Sequence, residues 1–170
     1  MRNVLTALLT TGALLGAAGS ASAANPATTT FTITATVLKN CTVSAAALTF
    51  NYTPGAGAVT NNTTVTVNCT KGTPFNTELT AGGTLGSTIA QRLLNDGAGD
   101  TLQYNLYTTA GLSTPWGTTI GTNTVAGAGA GMGAAAAVSQ TVFGQVVDSA
   151  ANQAIPPGTY TDTITVNVAY

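Results

Sequence analysis

Residues Thr30–Val37 read T-F-T-I-T-A-T-V. If this segment is extended, Phe31, Ile33, Ala35 and Val37 project to one side. Thr30, Thr32, Thr34 and Thr36 project to the other. Strict period-two alternation is the mark of a β-strand with a single buried face. A strand this close to the start of an exported chain has two possible fates. It pairs within its own domain, or it is offered to another one, and that choice decides what the protein does.

The segment lies just behind a stretch that reads as a secretory signal peptide, residues 1–23. Arg2 supplies the positive end, Val4–Ala18 is apolar and uncharged, and Ala21-Ser22-Ala23 is a small-x-small cleavage pattern. The competing reading, a membrane anchor, suits the short apolar run and its flanks less well. No other stretch is apolar enough to cross a bilayer.

Cleavage before Ala24 leaves Lys39, Lys71 and Arg92 against Glu78, Asp96, Asp100, Asp148 and Asp162, a net charge of 3 − 5 = −2. Residues 24–170 are enough for one domain with a real core. So few cations give no electrostatic footprint for nucleic acid or anionic lipid. The surface chemistry is neutral and polar, rich in Thr, Asn, Gly and Ala. Cys41 and Cys69 are an even pair in an exported chain and read as one disulfide between strand-like segments. Closing a loop of that length stabilises by on the order of 3–4 kcal/mol. A redox or metal-binding pair is the alternative, but the chain has no histidine and no CxxC.

Strand signals recur along the chain with Gly and Pro punctuation, and no helical period is sustained. Strands are expected around Cys41–Val43, Leu48–Tyr52, Thr63–Cys69, Phe75–Thr80, Leu102–Thr108, Thr141–Val146 and Thr159–Tyr170, and Ala90–Asn95 is a brief apolar run bounded by the turn Asn95-Asp96-Gly97. Ala126–Ala137, glycine-rich with four successive alanines, reads as loop. About seven short strands at this spacing imply an all-β sandwich without an internal boundary.

Catalytic chemistry is sparse. Without histidine there is no imidazole base, no Ser-His-Asp triad and no common metal ligand. Asp96 and Asp100, the nearest carboxylate pair, flank a Gly-Ala-Gly turn and read as turn caps. The glycines of Ala126–Gly133 lack the lysine of a phosphate loop. These observations argue against an enzyme and imply no cofactor and no metal. Trp116, Tyr104 and Tyr160 fit a sandwich core better than a sugar-binding platform, the rival use for such aromatics.

The order of motifs resembles one family. A leader precedes T-F-T-I-T-A-T-V, then Cys41-Thr42-Val43-Ser44-Ala45, Leu48-Thr49-Phe50 and Val67-Asn68-Cys69-Thr70-Lys71-Gly72-Thr73-Pro74. Leu102–Tyr107, Trp116-Gly117, Val142-Phe143-Gly144 and the ending Pro157–Val166 follow. Together they resemble the spore coat protein U domain family, which includes subunits of archaic chaperone–usher pili, over essentially all of residues 24–170. Asn51 departs from the family's usual glycine after the phenylalanine.

The resemblance implies an incomplete immunoglobulin-like sandwich lacking its last strand, with residues 24–37 as a donor extension and 38–170 as the domain. It implies three partners: a periplasmic chaperone that lends a strand, an outer-membrane usher, and identical or related subunits. The inward donor positions are Phe31, Ile33, Ala35 and Val37. Ile164, Val166 and Val168 of the final strand are the expected acceptor wall, its edge left uncovered where the sequence ends at Tyr170. A one-residue slip would turn threonines into the groove. The expected product is an exported, cell-surface subunit polymerised by strand donation into a pilus, coat or biofilm fibre. The alternative is an adhesin-like module that binds a surface or glycan without polymerising.

Overall fold

The structure, a computed structural model, describes residues 25–170. The expected signal peptide lies outside them. The chain divides after Ala35, and every strand belongs to the second unit, Thr36–Tyr170. Among the described residues no helix is long and apolar enough to cross a membrane.

Two antiparallel sheets form a sandwich. The larger has the order β1-β2-β7-β5-β4, from β1 (Cys41–Ala45), β2 (Val59–Cys69), β7 (Val138–Val146), β5 (Thr101–Tyr107) and β4 (Arg92–Asn95). The smaller has the order β6-β3-β8, from β6 (Val125–Ala128), β3 (Pro74–Leu79) and β8 (Val166–Ala169). The sequence dictates these strands through alternation. In β2, Val65, Val67 and Cys69 are buried and the residues between them are not. In β3 it is Phe75, Thr77 and Leu79. β-Branched and aromatic side chains suit a pleated, half-buried surface. The two inner faces close on a core that includes Leu102, Tyr104, Leu106, Trp116, Val142 and Val146. The β2–β3 turn is made by Lys71-Gly72, where Gly72 takes φ 78°, a left-handed conformation that costs glycine little.

Cys41 and Cys69 are disulfide-bonded and stand opposite each other in the β1–β2 register. The bridge staples an edge strand to its neighbour.

Four expectations need correction. Leu48–Tyr52 is not a laddered strand. Its side chains alternate as anticipated, with Leu48, Phe50 and Tyr52 half-buried and Thr49 and Asn51 exposed. Its backbone, however, leaves β2 after the bond from Ala46 N–H to the Thr64 carbonyl at 3.1 Å. Beyond that point side chains of β2 replace the ladder. Asn61 donates to the Thr49 carbonyl at 2.8 Å, and Thr63 donates to the Ala46 carbonyl at 2.9 Å. Asn51 has no positive φ, so this bend does not require the glycine usual in the family. The second correction concerns the glycine-rich stretch, whose Val125–Ala128 is a strand paired with β3. Phe75 lies across Gly127, where any Cβ would overlap the ring, so the missing side chain permits the pairing. Third, the final segment is laddered only over Val166–Ala169. Ahead of that, Thr161 bridges to Asn95 of β4. Fourth, a short helix, Ala150–Gln153, interrupts the strands. Ser149 caps it by accepting from the Asn152 N–H at 3.2 Å.

Thr30–Val37, anticipated as a strand, carries no strand pairing.

Candidate functional site

The sandwich is open along one side. The segment Ala45–Tyr52 forms one wall of a groove, and the run Ile155–Val166 forms the other. Two cavities lie between them, of about 730 Å³ and 340 Å³. The smaller is floored by Val65, Leu79, Tyr104, Leu106 and Val142, all buried core residues. They come from β2, β3, β5 and β7, so both sheets contribute. The smaller cavity thus reaches the core shared by both sheets. β8 is hydrogen-bonded to β3 along one edge, and among the described residues no strand pairs with its other edge. Such an edge presents unpaired N–H and C=O groups to any extended peptide.

Each wall is held by contacts of its own side chains. Leu48 and Phe50 rest on Gly144 of β7, where an added Cβ would come within 2.6 Å of both side chains. The far end of this wall is tied by Asp148. Its carboxylate accepts from the Tyr52 hydroxyl at 2.5 Å and from Gly55 N–H and Gly57 N–H at 3.1 and 2.9 Å. Burial and this hydrogen bond push the Tyr52 hydroxyl up to about 12. The same tyrosine and the two amides hold the Asp148 carboxyl below its ordinary value.

The opposite wall is anchored by Asp162. Its Oδ1 accepts from Gly83 N–H at 2.8 Å and from the Thr84 N–H and hydroxyl at 3.1 and 3.3 Å. Its Oδ2 accepts from the Tyr104 hydroxyl at 2.6 Å. Burial, then this bond, raises Tyr104 well above the normal phenol range. Thr165 adds a two-way link to Thr80: Thr80 N–H donates to the Thr165 carbonyl at 3.1 Å, and Thr165 N–H to the Thr80 hydroxyl at 3.0 Å.

Beneath this wall sits Arg92, with 0% of its surface exposed and, among the described residues, no carboxylate partner. Its guanidinium donates to the carbonyls of Thr80 at 3.0 and 2.8 Å, Trp116 at 2.6 Å and Leu79 at 3.3 Å, and to Asn105 Oδ1 at 2.6 Å. Burial lowers its pKa, and the nearby Tyr104 and Asp162 oppose that. One side chain thereby joins β4 to the end of β3 and to the loop carrying Trp116.

Of the anticipated wall residues, Ile164 and Val166 line the groove. Val168 packs against the core without lining either cavity. Phe31, Ile33 and Val37, expected as donor residues, are 83%, 81% and 83% exposed. Ala35 is exposed as well. Trp116 is wholly buried and donates from Nε1 to the Thr77 carbonyl at 2.8 Å, so it is core and no platform. Asp96 caps its turn by accepting from the amides of Ala98, Gly99 and Asp100. Among the described residues no three of His, Cys, Asp and Glu gather as a metal site.

Sequence reading missed the wall role of Leu48 and Phe50, and it missed Asp162, Arg92 and Gly144. The Leu48–Tyr52 alternation held the first signal but was spent on a paired strand. Asp162 stands in phase with Ile164 and Val166, a carboxylate on an otherwise apolar face, which was the available sign of a buried polar anchor.

Residues 27–167 match the Spore Coat Protein U domain family. None of the curated proteins matches the chain. Among solved structures it is similar to the CsuC–CsuE chaperone–tip adhesion subunit pre-assembly complex from archaic chaperone–usher Csu pili of Acinetobacter baumannii. The TM-score is 0.54 at 23% identity, covering 79% of this chain and 41% of that one. At that identity the likeness speaks to fold, and this chain spans about two-fifths of the other's length.

Proposed function

The chain belongs to the Spore Coat Protein U domain family, and from that premise we propose that it is a structural subunit of a chaperone–usher pilus or surface coat, polymerised by strand donation. The observation that carries this reading is the groove. It exposes the shared core of both sheets beside an unpaired edge of β8. The chain also carries a peptide suited to such a groove. Phe31, Ile33, Ala35 and Val37 alternate with threonines, and the three larger ones are exposed. An extended segment from a second copy would pair with the β8 edge through main-chain bonds and send its apolar side chains onto the floor. Before assembly, a periplasmic chaperone lends the groove a strand, and an outer-membrane usher is where the exchange takes place. The subunit is exported, passes through the periplasm, and ends at the cell surface in attachment or biofilm. The rival reading, a surface- or glycan-binding module built on Trp116, lacks its platform because the indole is buried.

Ile33→Asp tests the proposal. An unpaired carboxylate carried into an apolar groove costs several kcal/mol. In cells making the full chain with its chaperone and usher, the variant should accumulate as monomer and give no detergent-resistant ladder. A ladder like that of the unsubstituted chain would refute strand donation by this segment.

A further inference from the structure

The alternation of the N-terminal segment does not stop at Val37. Lys39 stands in the same phase, so the face that begins with Phe31 ends in a cation. The free side of the final segment carries a face of the same kind. Asp162, Ile164, Val166 and Val168 are half-buried, and the residues between them are exposed. Tyr170 continues that phase. Laid against this face in the opposite direction, the N-terminal segment matches it at both ends. An aromatic pair, Phe31 with Tyr170, stands at one end, and opposite charges, Lys39 with Asp162, stand at the other. The three matches between them are all apolar. We propose that Lys39 of an inserted segment pairs with Asp162 of a second copy, and that this charge pair sets the register of insertion. The inference rests on the strand-donation reading above.

Alternation alone cannot set that register, because a shift of two residues keeps the same face inward. Cross-strand neighbours can, since opposite charges and aromatic rings attract where they face each other. A two-residue shift one way sets Lys39 against Ile164. A shift the other way sets Val37 against Asp162. Reversing the direction carries Lys39 to Tyr170 and leaves Asp162 facing Phe31. One alignment joins the two charges.

The acceptor is built to receive an ammonium at that point. Asp162 lines both cavities. Its Oδ1 already accepts three hydrogen bonds, but Oδ2 takes one, from Tyr104, and has room for a second donor. On the far side of Asp162 the larger cavity is lined by polar Thr49, Asn51 and Thr161 beside Tyr52 and Tyr160. Further carboxylates flank both of its walls. Asp148 holds Tyr52 on one. On the other, burial and then the nearby Asp96 and Asp100 raise the Tyr160 hydroxyl above its ordinary value. A lysine stem lies along apolar surface while its ammonium stays in such polar surroundings.

Lys39 cannot reach these groups in its own copy. It lies two residues before Cys41, which stands level with Cys69 at one end of β2. Val146, two residues before Asp148, stands level with Val59 at the other end. The length of β2 separates them, about 33 Å, or roughly three screening lengths in physiological salt. Between two copies the same charges come into contact.

The test titrates fluorescent peptides of residues 28–40 into the full chain, at concentrations where it is monomeric by light scattering, in about 20 mM and about 500 mM NaCl. At low salt the wild-type peptide should bind about fivefold more tightly than Lys39→Met, which keeps the stem and drops the charge, and high salt should close the gap. A peptide with Leu38→Lys and Lys39→Leu has the same composition but turns the ammonium outward, and it should bind like Lys39→Met. In an Asp162→Asn chain, shown to be folded by a Trp116 fluorescence melt, the wild-type and Lys39→Met peptides should bind alike. If that variant does not fold, a nitroxide on a Lys39→Cys peptide should broaden the methyl resonances of Ile164 in the unsubstituted chain more than those of Val168, and the reverse order would overturn the pairing. Low-salt binding of Lys39→Met or of the exchanged peptide at wild-type strength overturns the pairing and leaves strand donation standing. So does a gap that survives in a folded Asp162→Asn chain. If the wild-type peptide binds at neither salt concentration, strand donation itself is overturned.

Discussion

Replacing Arg92 by methionine should remove much of the domain's stability, although it deletes a buried charge. Two effects compete. Relieving the guanidinium of its desolvation favours the variant, which is why buried charges exchanged wholesale for apolar groups are often neutral. Here the partners stay behind. The Thr80 and Trp116 carbonyls, at 2.8 and 2.6 Å from the guanidinium, lose their side-chain donor, the first in a part-buried and the second in a buried contact. Asn105 Oδ1 is cushioned, because it also accepts from Leu106 N–H at 2.8 Å, and the Leu79 contact is long at 3.3 Å. Two carbonyls stripped of their donor at about 1–3 kcal/mol each, with a smaller share from Asn105 and Leu79, outweigh the relieved charge and give a net loss of about 4 kcal/mol. For a domain of this size that corresponds to a fall in Tm of about 8–16 °C. Trp116, the sole tryptophan and itself a partner of Arg92, makes intrinsic fluorescence a direct probe of the melt. A fall of less than about 3 °C would show that the carbonyls find other donors, and that Arg92 is no clamp between β4, β3 and the Trp116 loop.

Two further outcomes follow from the same structure. Cys41→Ser removes the covalent link between β1 and β2 and should lower stability by about 3.5 kcal/mol through the unfolded chain's regained freedom, read as a reduced denaturant midpoint. An unchanged midpoint would refute a stabilising bridge. Asp148 is held below its ordinary pKa in the folded protein by Tyr52, Gly55 and Gly57. Its contribution is therefore present above the unfolded carboxylate value of about 4 and is lost as pH falls through the lower folded value. Asp148→Asn should flatten the decline of Tm over that acid range, and an unaltered profile would show that the carboxylate is no latch.

Alternation made most of the strands legible because each buries one face. Val65, Val67 and Cys69 in β2, Phe75 and Leu79 in β3, and Leu102, Tyr104 and Leu106 in β5 stand where a period of two puts them. The cysteine pairing was legible for a different reason: an exported chain with two cysteines has a single intramolecular pairing to make. β6 was hidden because the glycine-rich stretch it opens reads locally as loop. It pairs as a strand with β3 because Gly127 leaves the room that the Phe75 ring takes. The short helix after β7 was also hidden, since four residues carry no period.

By itself, then, the sequence determined the all-β class, the disulfide and the inward-facing set of the final segment. Those features follow from side-chain chemistry repeated at a fixed spacing along one chain. The groove required tertiary structure. Leu48–Tyr52 has the pattern of a paired strand, and only its place in the sandwich shows its backbone leaving β2 to become a wall. Asp162, Arg92 and Gly144 matter through neighbours distant in the chain: Leu48 lies 144 − 48 = 96 residues from Gly144, Gly83 lies 79 from Asp162, and Trp116 lies 24 from Arg92. Periodicity says which face of a strand seeks burial. Whether a partner strand is there to bury it is a property of the packed sheets.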